Sequence, residues 1–289
     1  MERLEEDQRH DVERNFHDGW AKGIDIKGIF VIESFESVIA LENRAIMRFF
    51  GDVKGKKILD LGCGAGEASV YFALKGAEVT ALDLSQEMLK KVEALAAHYG
   101  VTVKTVESPA EHLPFESDTF DYVYGYGVLH HVNLRMAIHE VSRVLKKEGK
   151  SAFIEPLSYN PLISAYRILA REVRTPTETS FRLRDFKFIK QYFNEVQQEF
   201  CWFTTLGVFL YMFFIERINP VRDRYWKRVI RERHRYEKMF QRLDRFDQAF
   251  LKIFPFMKYF CWTIVIELSQ KTAWQDTGSD RRAAEVGGS

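Results

Sequence analysis

The sequence predicts an α/β fold in which a mostly parallel sheet is covered by helices on both faces. Short apolar strands alternate with helix-length segments from residue 57 to residue 156, which is typical of βαβ units. A glycine-rich turn, GCGAG at residues 62–66, follows the first of these strands directly and leads into a helix. Residues 1–50 instead have apolar side chains near a 3.6-residue period, which predicts a helical N-terminal region.

Helix caps and glycines delimit the predicted elements of the alternating region. Ser85 is the expected N-cap of a helix that ends at Gly100, and Gly76 ends the helix before it. In chain order the elements are strand KKILDLG, helix EASVYFALKG, strand AEVTALDLS, helix QEMLKKVEALAAHYG, strands VTVKTVES and FDYVYGYG, helix LRMAIHEVSRVLKKEG and strand KSAFIEP.

The regular alternation stops after Pro156. Helices are predicted over NPLISAYRILAREVR and DFKFIKQYF, a strand over EVQQEFCWFTT, and a last strand over FCWTIVIELSQ. A basic, aromatic-rich helical insertion of residues 206–258 precedes that last strand. We therefore divide the chain into a helical N-terminal cap (1–50), a main domain that includes the insertion (51–271) and a small, polar, disordered tail (272–289).

The composition is that of a globular protein with a sizeable core. The chain has 289 residues, of which 46% are hydrophobic, and a formal net charge of +1, so disorder of the chain as a whole is excluded and no nucleic-acid partner is indicated. Its three cysteines are scattered and suit a reducing cytosol. The acidic start MERLEEDQRH is unlike a signal peptide, and the most apolar run, residues 206–215, is far shorter than the ~20 residues of a membrane-spanning helix. We expect a cytoplasmic location.

The glycine-rich turn is of the kind that brings backbone N–H groups close to a nucleotide-like ligand. The dinucleotide pattern G-x-G-x-x-G would need a glycine where Glu67 stands, and the third glycine comes one residue early, at Gly66. Asp60 would repel a pyrophosphate, whereas it would attract a ligand that carries a cationic amine and a sulfonium. Among the candidate functions, an NAD-linked dehydrogenase therefore ranks third.

Four motifs in order resemble those of the class I S-adenosylmethionine-dependent methyltransferases. They are LDLGCGAG (59–66), the acid that ends the second strand at Asp83, PAEHLPF (109–115) and FDYVYGYGVLHHV (120–132). More loosely, FHDGWA (16–21), EPLSYNPLI (155–163) and the long insertion resemble a bacterial, type 11-like subgroup that methylates small molecules. No secure substrate comes with this second resemblance.

The resemblance implies a seven-stranded sheet whose last strand is antiparallel, with the N-terminal helices and the insertion over the carboxyl ends of the strands. It also implies that S-adenosylmethionine is the cofactor and S-adenosylhomocysteine the product. Pro109 departs from the family, which often has a polar side chain there that can bind the adenine amino group. By motif position, the implied cofactor-binding residues are Asp60, Gly62, Cys63, Gly64, Gly66, Asp83, Leu84, Ala110, Glu111 and Tyr126.

His130 and His131 follow the fourth strand and are the candidate general bases. Because methyl transfer is an in-line displacement that depends largely on positioning, one of these histidines could instead only cap the next helix. Phe16, His17 and Trp20 are either core residues of the cap or a lid over the sulfonium. The turn YGYGVLHHV offers no carboxylate to a metal, so we expect a metal-independent reaction.

The insertion places apolar residues such as Phe240 and Phe250 on one helix face and basic residues such as Arg235 and Arg242 largely on the other. It is either a cap helix with a solvated basic face or a basic amphipathic surface. Such a surface would rest on anionic lipid, which would make the protein membrane-peripheral, or would take an acidic or lipophilic substrate. Nucleic acid is disfavoured because acids interrupt the stretch and no RNA-binding motif accompanies it.

The expected function is methyl transfer from S-adenosylmethionine to a small, fairly hydrophobic acceptor. Two alternatives stay open at this point. One is a lipid or quinone methyltransferase at the membrane surface, and the other is a cofactor-binding module without turnover that acts on a protein partner.

Overall fold

The structure, a computed structural model, describes residues 2–157, 159–161, 163, 181–219 and 225–272. Its centre is one sheet of seven strands: β1 Lys57–Leu61, β2 Glu78–Asp83, β3 Lys104–Glu107, β4 Phe120–Tyr126, β5 Leu145–Pro156, β6 Phe193–Cys201 and β7 Thr263–Lys271. The strand order is β3-β2-β1-β4-β5-β7-β6. β7 pairs antiparallel with both β5 and β6, and the other pairings are parallel. The predicted fold class is confirmed, including the antiparallel last strand.

Helices precede, connect and follow the strands of this sheet. In the described residues the α-helices are α1 Glu2–Lys22, α2 Glu33–Glu36, α3 Leu41–Phe50, α4 Glu67–Leu74, α5 Gln86–Tyr99, α6 Leu134–Val144, α7 Phe186–Ile189, α8 Gly207–Phe214, α9 Tyr225–Arg231 and α10 Arg233–Ile253. Short 3₁₀ helices cover Ile26–Gly28, Leu183–Asp185, Thr204–Leu206 and Pro255–Phe260.

The local signals that delimit the helices act as expected at α5 and differently at α6. Ser85 caps α5 by accepting a hydrogen bond from the N–H of Met88 at 3.1 Å. The predicted helix LRMAIHEVSRVLKKEG, however, ends at Val144, because Leu145 pairs with Phe120 and begins β5. Sheet pairing here outweighs the helical propensity of the Leu-Lys-Lys-Glu segment. The prediction that β5 starts only at Lys150 is wrong by five residues.

Both faces of the sheet are buried, and successive strand residues alternate between two cores. Ile58 and Tyr124 belong to a cluster that also holds residues of α2, α3 and α4. Leu59 and Val123 point into the other cluster, which holds residues of α6 and α7. This alternation follows from the two-residue period of a strand, and it places helices on both sides of the sheet.

The insertion is joined to the N-terminal helices. Arg233 lies 3.0 Å from Glu33, and the Lys227 ammonium lies 5.9 Å from the ring centroid of Trp20. The Asp247 carboxylate of the insertion accepts hydrogen bonds from the N–H and hydroxyl groups of Thr204 and Thr205, which directly precede the insertion. These contacts tie the insertion to the helices that lead into the domain.

Two sequence predictions lie outside the described residues, namely the body of the helix after Asn160 and the tail from residue 273. The division of the chain at residues 50 and 271 stays a prediction. In the part of the chain that the structure describes, every helix is too short or too polar to cross a bilayer.

Candidate functional site

The glycine turn between β1 and α4 has one open position and two packed ones. A Cβ atom on Gly62 would lie 2.7 Å from Cγ2 of Val128, and one on Gly66 would lie 3.0 Å from Cγ1 of Val92. At Gly64 a Cβ would have no neighbour within 4 Å, although φ is +51°. Two of the three glycines therefore let the protein pack against itself, and Gly64 leaves space beside the backbone. A ligand can approach the turn at Gly64.

Asp83, which ends β2, is joined directly to this turn. One carboxylate oxygen accepts a hydrogen bond from the N–H of Gly64 at 2.9 Å, and the other accepts from the N–H of Ser85 at 2.9 Å. Burial raises the pKa of Asp83, and the hydrogen bonds and His17 partly offset that rise. The structure thus brings the acid predicted to bind ribose hydroxyls against the glycine turn. Leu84 follows it at the same edge of the sheet.

Asp60 is buried in β1 and turned toward α4. Its carboxylate accepts a hydrogen bond from the Ser69 hydroxyl at 2.5 Å, and its side chain is fully enclosed, with 1% of the residue exposed. Burial raises the pKa of Asp60 to about 7. In this structure Asp60 acts on the turn by holding the start of α4. Cys63, between the first two glycines, is also buried, and burial raises the pKa of its thiol.

The loop 109–115 is held by the N-terminal helix. Glu111 pairs with Arg9 and with His10 of α1 and accepts a hydrogen bond from the N–H of Asn133 at 2.8 Å. Burial alone would raise the pKa of Glu111, but these partners lower it. Ala110 beside it is buried. Glu111 therefore has several protein partners at the place where the sequence predicts an adenine contact.

The turn after β4 is shaped by a buried acid that the sequence analysis assigned no role. Glu155 is fully buried and accepts hydrogen bonds from the N–H groups of Val128 and Leu129 and from Nδ1 of His130, the last at 2.7 Å. This arrangement gives His130 a structural partner. Tyr126, at the end of β4, has 48% of its surface exposed, so its ring is accessible at this edge.

His131 faces the N-terminal helix. Its Nδ1 lies 3.2 Å from a carboxylate oxygen of Glu13, and Nε2 of His17 lies 3.6 Å from the same oxygen. One potential ligand atom from each of these three residues lies within 4.8 Å of the others, a spacing that could also hold a metal ion. The sequence analysis missed Glu13, because an acid 118 residues before the histidine carries no local signal of this contact.

Phe16 and Trp20 lie on the same helix as these residues. Their ring centroids are 6.5 Å apart, and His17 between them approaches the ring of His131 to 5.9 Å. The hydroxyl of Ser85, just after β2, donates to Asp18 of α1 at 2.5 Å. Helix α1 therefore contacts residues that follow β2 and β4 and the 109–115 loop, at the carboxyl ends of the strands.

Residues 59–153 match the family model described as "Methyltransferase domain". This segment contains the glycine turn, Asp83, Glu111 and His131. It is a methyltransferase domain of the class I S-adenosylmethionine-dependent type, and S-adenosylmethionine is the cofactor that such domains use.

Two curated relatives are similar to part of this chain. It is 32% identical over 120 residues to the uncharacterized methyltransferase YodH of Bacillus subtilis, a match that covers 42% of this chain and 52% of YodH. It is 32% identical over 123 residues to the ubiquinone biosynthesis O-methyltransferase of Bordetella parapertussis, with 42% and 51% covered. The matched segment thus spans about half the length of each curated relative.

The phosphoethanolamine N-methyltransferase 2 of Haemonchus contortus, solved in complex with phosphomonomethylethanolamine and S-adenosylhomocysteine, has a similar fold. The TM-score is 0.57 at 18% identity, and the match covers 90% of this chain and 60% of that one. This similarity concerns the fold.

Proposed function

We propose that this protein transfers the methyl group of S-adenosylmethionine to a small, hydrophobic acceptor without a metal ion. The observation that carries the proposal is the hydrogen bond between the N–H of Gly64 and the Asp83 carboxylate, at 2.9 Å. It joins the open position of the glycine turn to the acid at the end of the next strand. In open α/β sheets, ligands bind in this crevice beyond the carboxyl ends of the strands.

The residues present fit the cofactor. The space at Gly64 admits a ligand beside the backbone, and the buried Asp83 carboxylate has lone pairs for ribose hydroxyls beyond those used by the two N–H groups. Cys63, Gly62 and Gly66 complete the turn, and Leu84, Ala110 and Glu111 flank it. Asp60 acts by way of the turn, since it holds the start of α4 through Ser69.

The cofactor supplies a methyl group on a sulfonium, and its loss leaves the neutral thioether S-adenosylhomocysteine. The chain positions the acceptor and takes up the proton that the acceptor loses. Glu13 holds Nδ1 of His131, and Nε2 is the nitrogen that would accept this proton. Because Glu155 holds Nδ1 of His130, that histidine maintains the turn.

Aromatic side chains around the site favour a hydrophobic acceptor. Tyr126 is accessible at the end of β4, and Phe16 and Trp20 lie on the helix that approaches His131. Such rings contact apolar surface and favour a sulfonium by cation–π attraction.

Methyl-labelled S-adenosylmethionine tests the proposal when it is incubated with the purified full chain and a host-cell extract. Label that moves into an organic extract supports transfer to a lipophilic acceptor, whereas label found only in the aqueous phase contradicts the hydrophobic acceptor. A His131→Ala variant serves as the matched control. Absence of transfer, together with saturable cofactor binding by calorimetry, would favour the alternative of a binding module that acts on a protein partner.

A second candidate is a lipid or quinone acceptor that the protein meets at the membrane surface. The observation that favours it is the exposure of large apolar side chains on the insertion, for example Phe214 at 66%. Adding extracted membranes or soluble extract alone as the acceptor source separates the two candidates.

A further inference from the structure

Exposed apolar side chains are concentrated in and just after the insertion. Of the fourteen large hydrophobic residues that are exposed in the described part of the chain, ten lie between residues 210 and 260. Ile253 has 71% of its surface exposed and Phe256 has 61%. A water-exposed patch of this kind marks an interaction surface.

Five of the aromatic residues form a continuous series, which we call the aromatic row. Phe250 is its centre, with Phe203 stacked at 5.6 Å, Phe246 at 5.4 Å and Phe254 at 4.8 Å between ring centroids. Phe256 extends the row from Phe254 at 6.3 Å. The row runs along the C-terminal half of α10 and into the 3₁₀ helix after it.

A second apolar face lies on α8. The helix has the sequence GVFLYMFF and no charged residue, and Met212 and Val208 anchor its buried side. We call the exposed remainder the α8 apolar face. It consists of Leu210, Tyr211, Phe213, Phe214 and the following Ile215.

The charges beside the aromatic row are basic. At about 100° per residue, the solvent side of the row on α10 is bordered by Lys238, Arg242 and Arg245, all exposed. The other side is the buried stripe of Tyr236, Phe240 and Asp247, and Glu237 and Asp244 lie beyond that stripe. The apolar row therefore has a cationic border toward solvent.

Three other basic residues of the insertion form ion pairs with acids of this chain. Arg228 pairs with Glu232 at 3.0 Å, Arg233 with Glu33 at 3.0 Å and Arg235 with Glu216 at 2.6 Å. The basic face noted in the sequence is thus divided. Its first part stabilises the insertion, and its later part borders the row.

We propose that the aromatic row and the α8 apolar face dock the protein on the surface of a bilayer that contains anionic lipid. Aromatic and aliphatic side chains that enter the interface, flanked by Lys and Arg that meet lipid phosphates, are the combination that binds helices in the plane of a membrane. The inference deepens the proposed function, since it names the partner of the insertion, but docking is independent of catalysis.

At its other end, away from the aromatic row, the insertion reaches the N-terminal helices. The insertion contacts α1 where Lys227 lies over Trp20, and it contacts α2 through Arg233 and Glu33.

Co-sedimentation with vesicles tests the docking surface, with the full chain and without cofactor or acceptor. We expect binding to vesicles of phosphatidylcholine mixed with phosphatidylglycerol and weak binding to phosphatidylcholine alone. The double variant Phe254→Ser, Phe256→Ser is expected to lower the partition coefficient about tenfold or more, and so is Phe213→Ser, Phe214→Ser. Lys238→Glu with Arg242→Glu should remove the preference for anionic vesicles.

Matched controls come from exposed residues elsewhere on the domain. Leu74→Ser removes an apolar side chain that is 37% exposed on α4, and Lys190→Glu reverses an exposed charge. Both should bind vesicles as the unaltered protein does. Thermal unfolding of every variant shows that a loss of binding does not come from a loss of folding.

A site-specific probe measures insertion directly. Because the three native cysteines are buried, a cysteine introduced by Ile253→Cys can be labelled selectively with an environment-sensitive fluorophore. Its emission should shift to the blue with anionic vesicles, and that of a Leu74→Cys label should not.

Three results would overturn the proposal. They are absence of vesicle binding at low salt, equal binding by the row variants, and a dimer in light scattering that the row variants dissociate while vesicle binding is absent. The last would assign the surface to a second copy of the chain. Because methyl transfer is assayed separately, inactivity with intact vesicle binding would contradict only the proposed function.

Discussion

A carboxylate oxygen of Glu13 lies 3.2 Å from Nδ1 of His131, across 118 residues of sequence. Glu13 is buried on α1, and His131 belongs to the turn after β4. The N-terminal helix, which lies outside the matched segment 59–153, therefore supplies a charged partner of the candidate base.

The first prediction concerns this pair. Glu13→Gln keeps a side chain that can accept from Nδ1 but removes the charge, so we expect turnover to fall about tenfold or more with the cofactor dissociation constant unchanged. His131→Ala should lower turnover and also leave cofactor affinity intact. Asp11→Asn, an exposed change on the same helix, is the control. If Glu13→Gln weakened cofactor binding and left turnover at saturation unchanged, Glu13 would belong to the cofactor site instead.

The second prediction concerns metal. Glu13, His17 and His131 could serve as metal ligands, but the proposed reaction needs only positioning and a proton acceptor. We expect full turnover after dialysis against a chelator, measured with label transfer and with elemental analysis of the protein. Activity lost with the chelator and restored by a divalent ion would assign the cluster to metal binding.

The third prediction separates packing from ligand access in the glycine turn. Gly62→Ala and Gly64→Ala both place a side chain at positive φ, which costs roughly 1 kcal/mol or more. Only Gly62→Ala also brings a Cβ to 2.7 Å from Val128, so it should lower the free energy of unfolding more. Gly64→Ala should instead lower cofactor affinity. Urea unfolding measures the stability of both variants, and calorimetric titration measures their cofactor affinity. Equal losses of stability and of affinity in the two variants would contradict the assignment of packing to Gly62 and of ligand access to Gly64.

The fourth prediction concerns the pH dependence of stability. Burial raises the pKa of Asp60 from its ordinary 3.8 to about 7, so its contribution is fully present below the ordinary value and is lost as pH rises through about 7. Asp60→Asn cannot ionise and should lack this decline. As pH rises across that range, the free energy of unfolding of the variant, measured in urea, should increase relative to that of the unaltered protein. If the free energies of unfolding of the two proteins changed in parallel with pH, the pKa of Asp60 would not be raised in the folded protein.

The fifth prediction concerns the loop at residues 113–115. Burial would raise the pKa of Glu140, but hydrogen bonds from Arg143, His139 and the N–H of Leu113 lower it to about 2, so the stability it provides is lost as pH falls from 4.5 toward 2. Arg143→Met should cost about 1–3 kcal/mol at neutral pH and should reduce this acid loss. Urea unfolding at several pH values checks this prediction. If the free energy of unfolding of Arg143→Met fell with acid as much as that of the unaltered protein, the prediction would be contradicted.

Much of the fold followed from local patterns. Alternation of apolar strands and helices, the glycine turn and the Ser85 cap depend on neighbours in sequence, and the structure has each of them where it was predicted. The start of β5 was misplaced because Leu145 pairs with Phe120 on another strand, and such pairing has no signal within the segment itself.

The candidate site was predictable only in part for the same reason. Motif positions located Asp83 and His131, but Glu13 and Glu155 reach the site through the fold. Their partners, His131 and the turn at Val128, could not be read from sequence spacing. The roles of the three glycines also needed the structure, because Val128 and Val92 decide which of them has open space.

The chain leaves the sheet at Cys201 and returns at Thr263, with the insertion between them, and these two residues are paired directly across β6 and β7. In the topology of the sheet, the segment between these two residues is therefore one long hairpin loop. A lineage can therefore lengthen, shorten or replace this segment without changing strand register or the cofactor edge. Under the proposed function and docking, a graft of the segment onto a related domain would therefore carry the membrane contact with it and leave the glycine turn and Asp83 of the recipient unchanged.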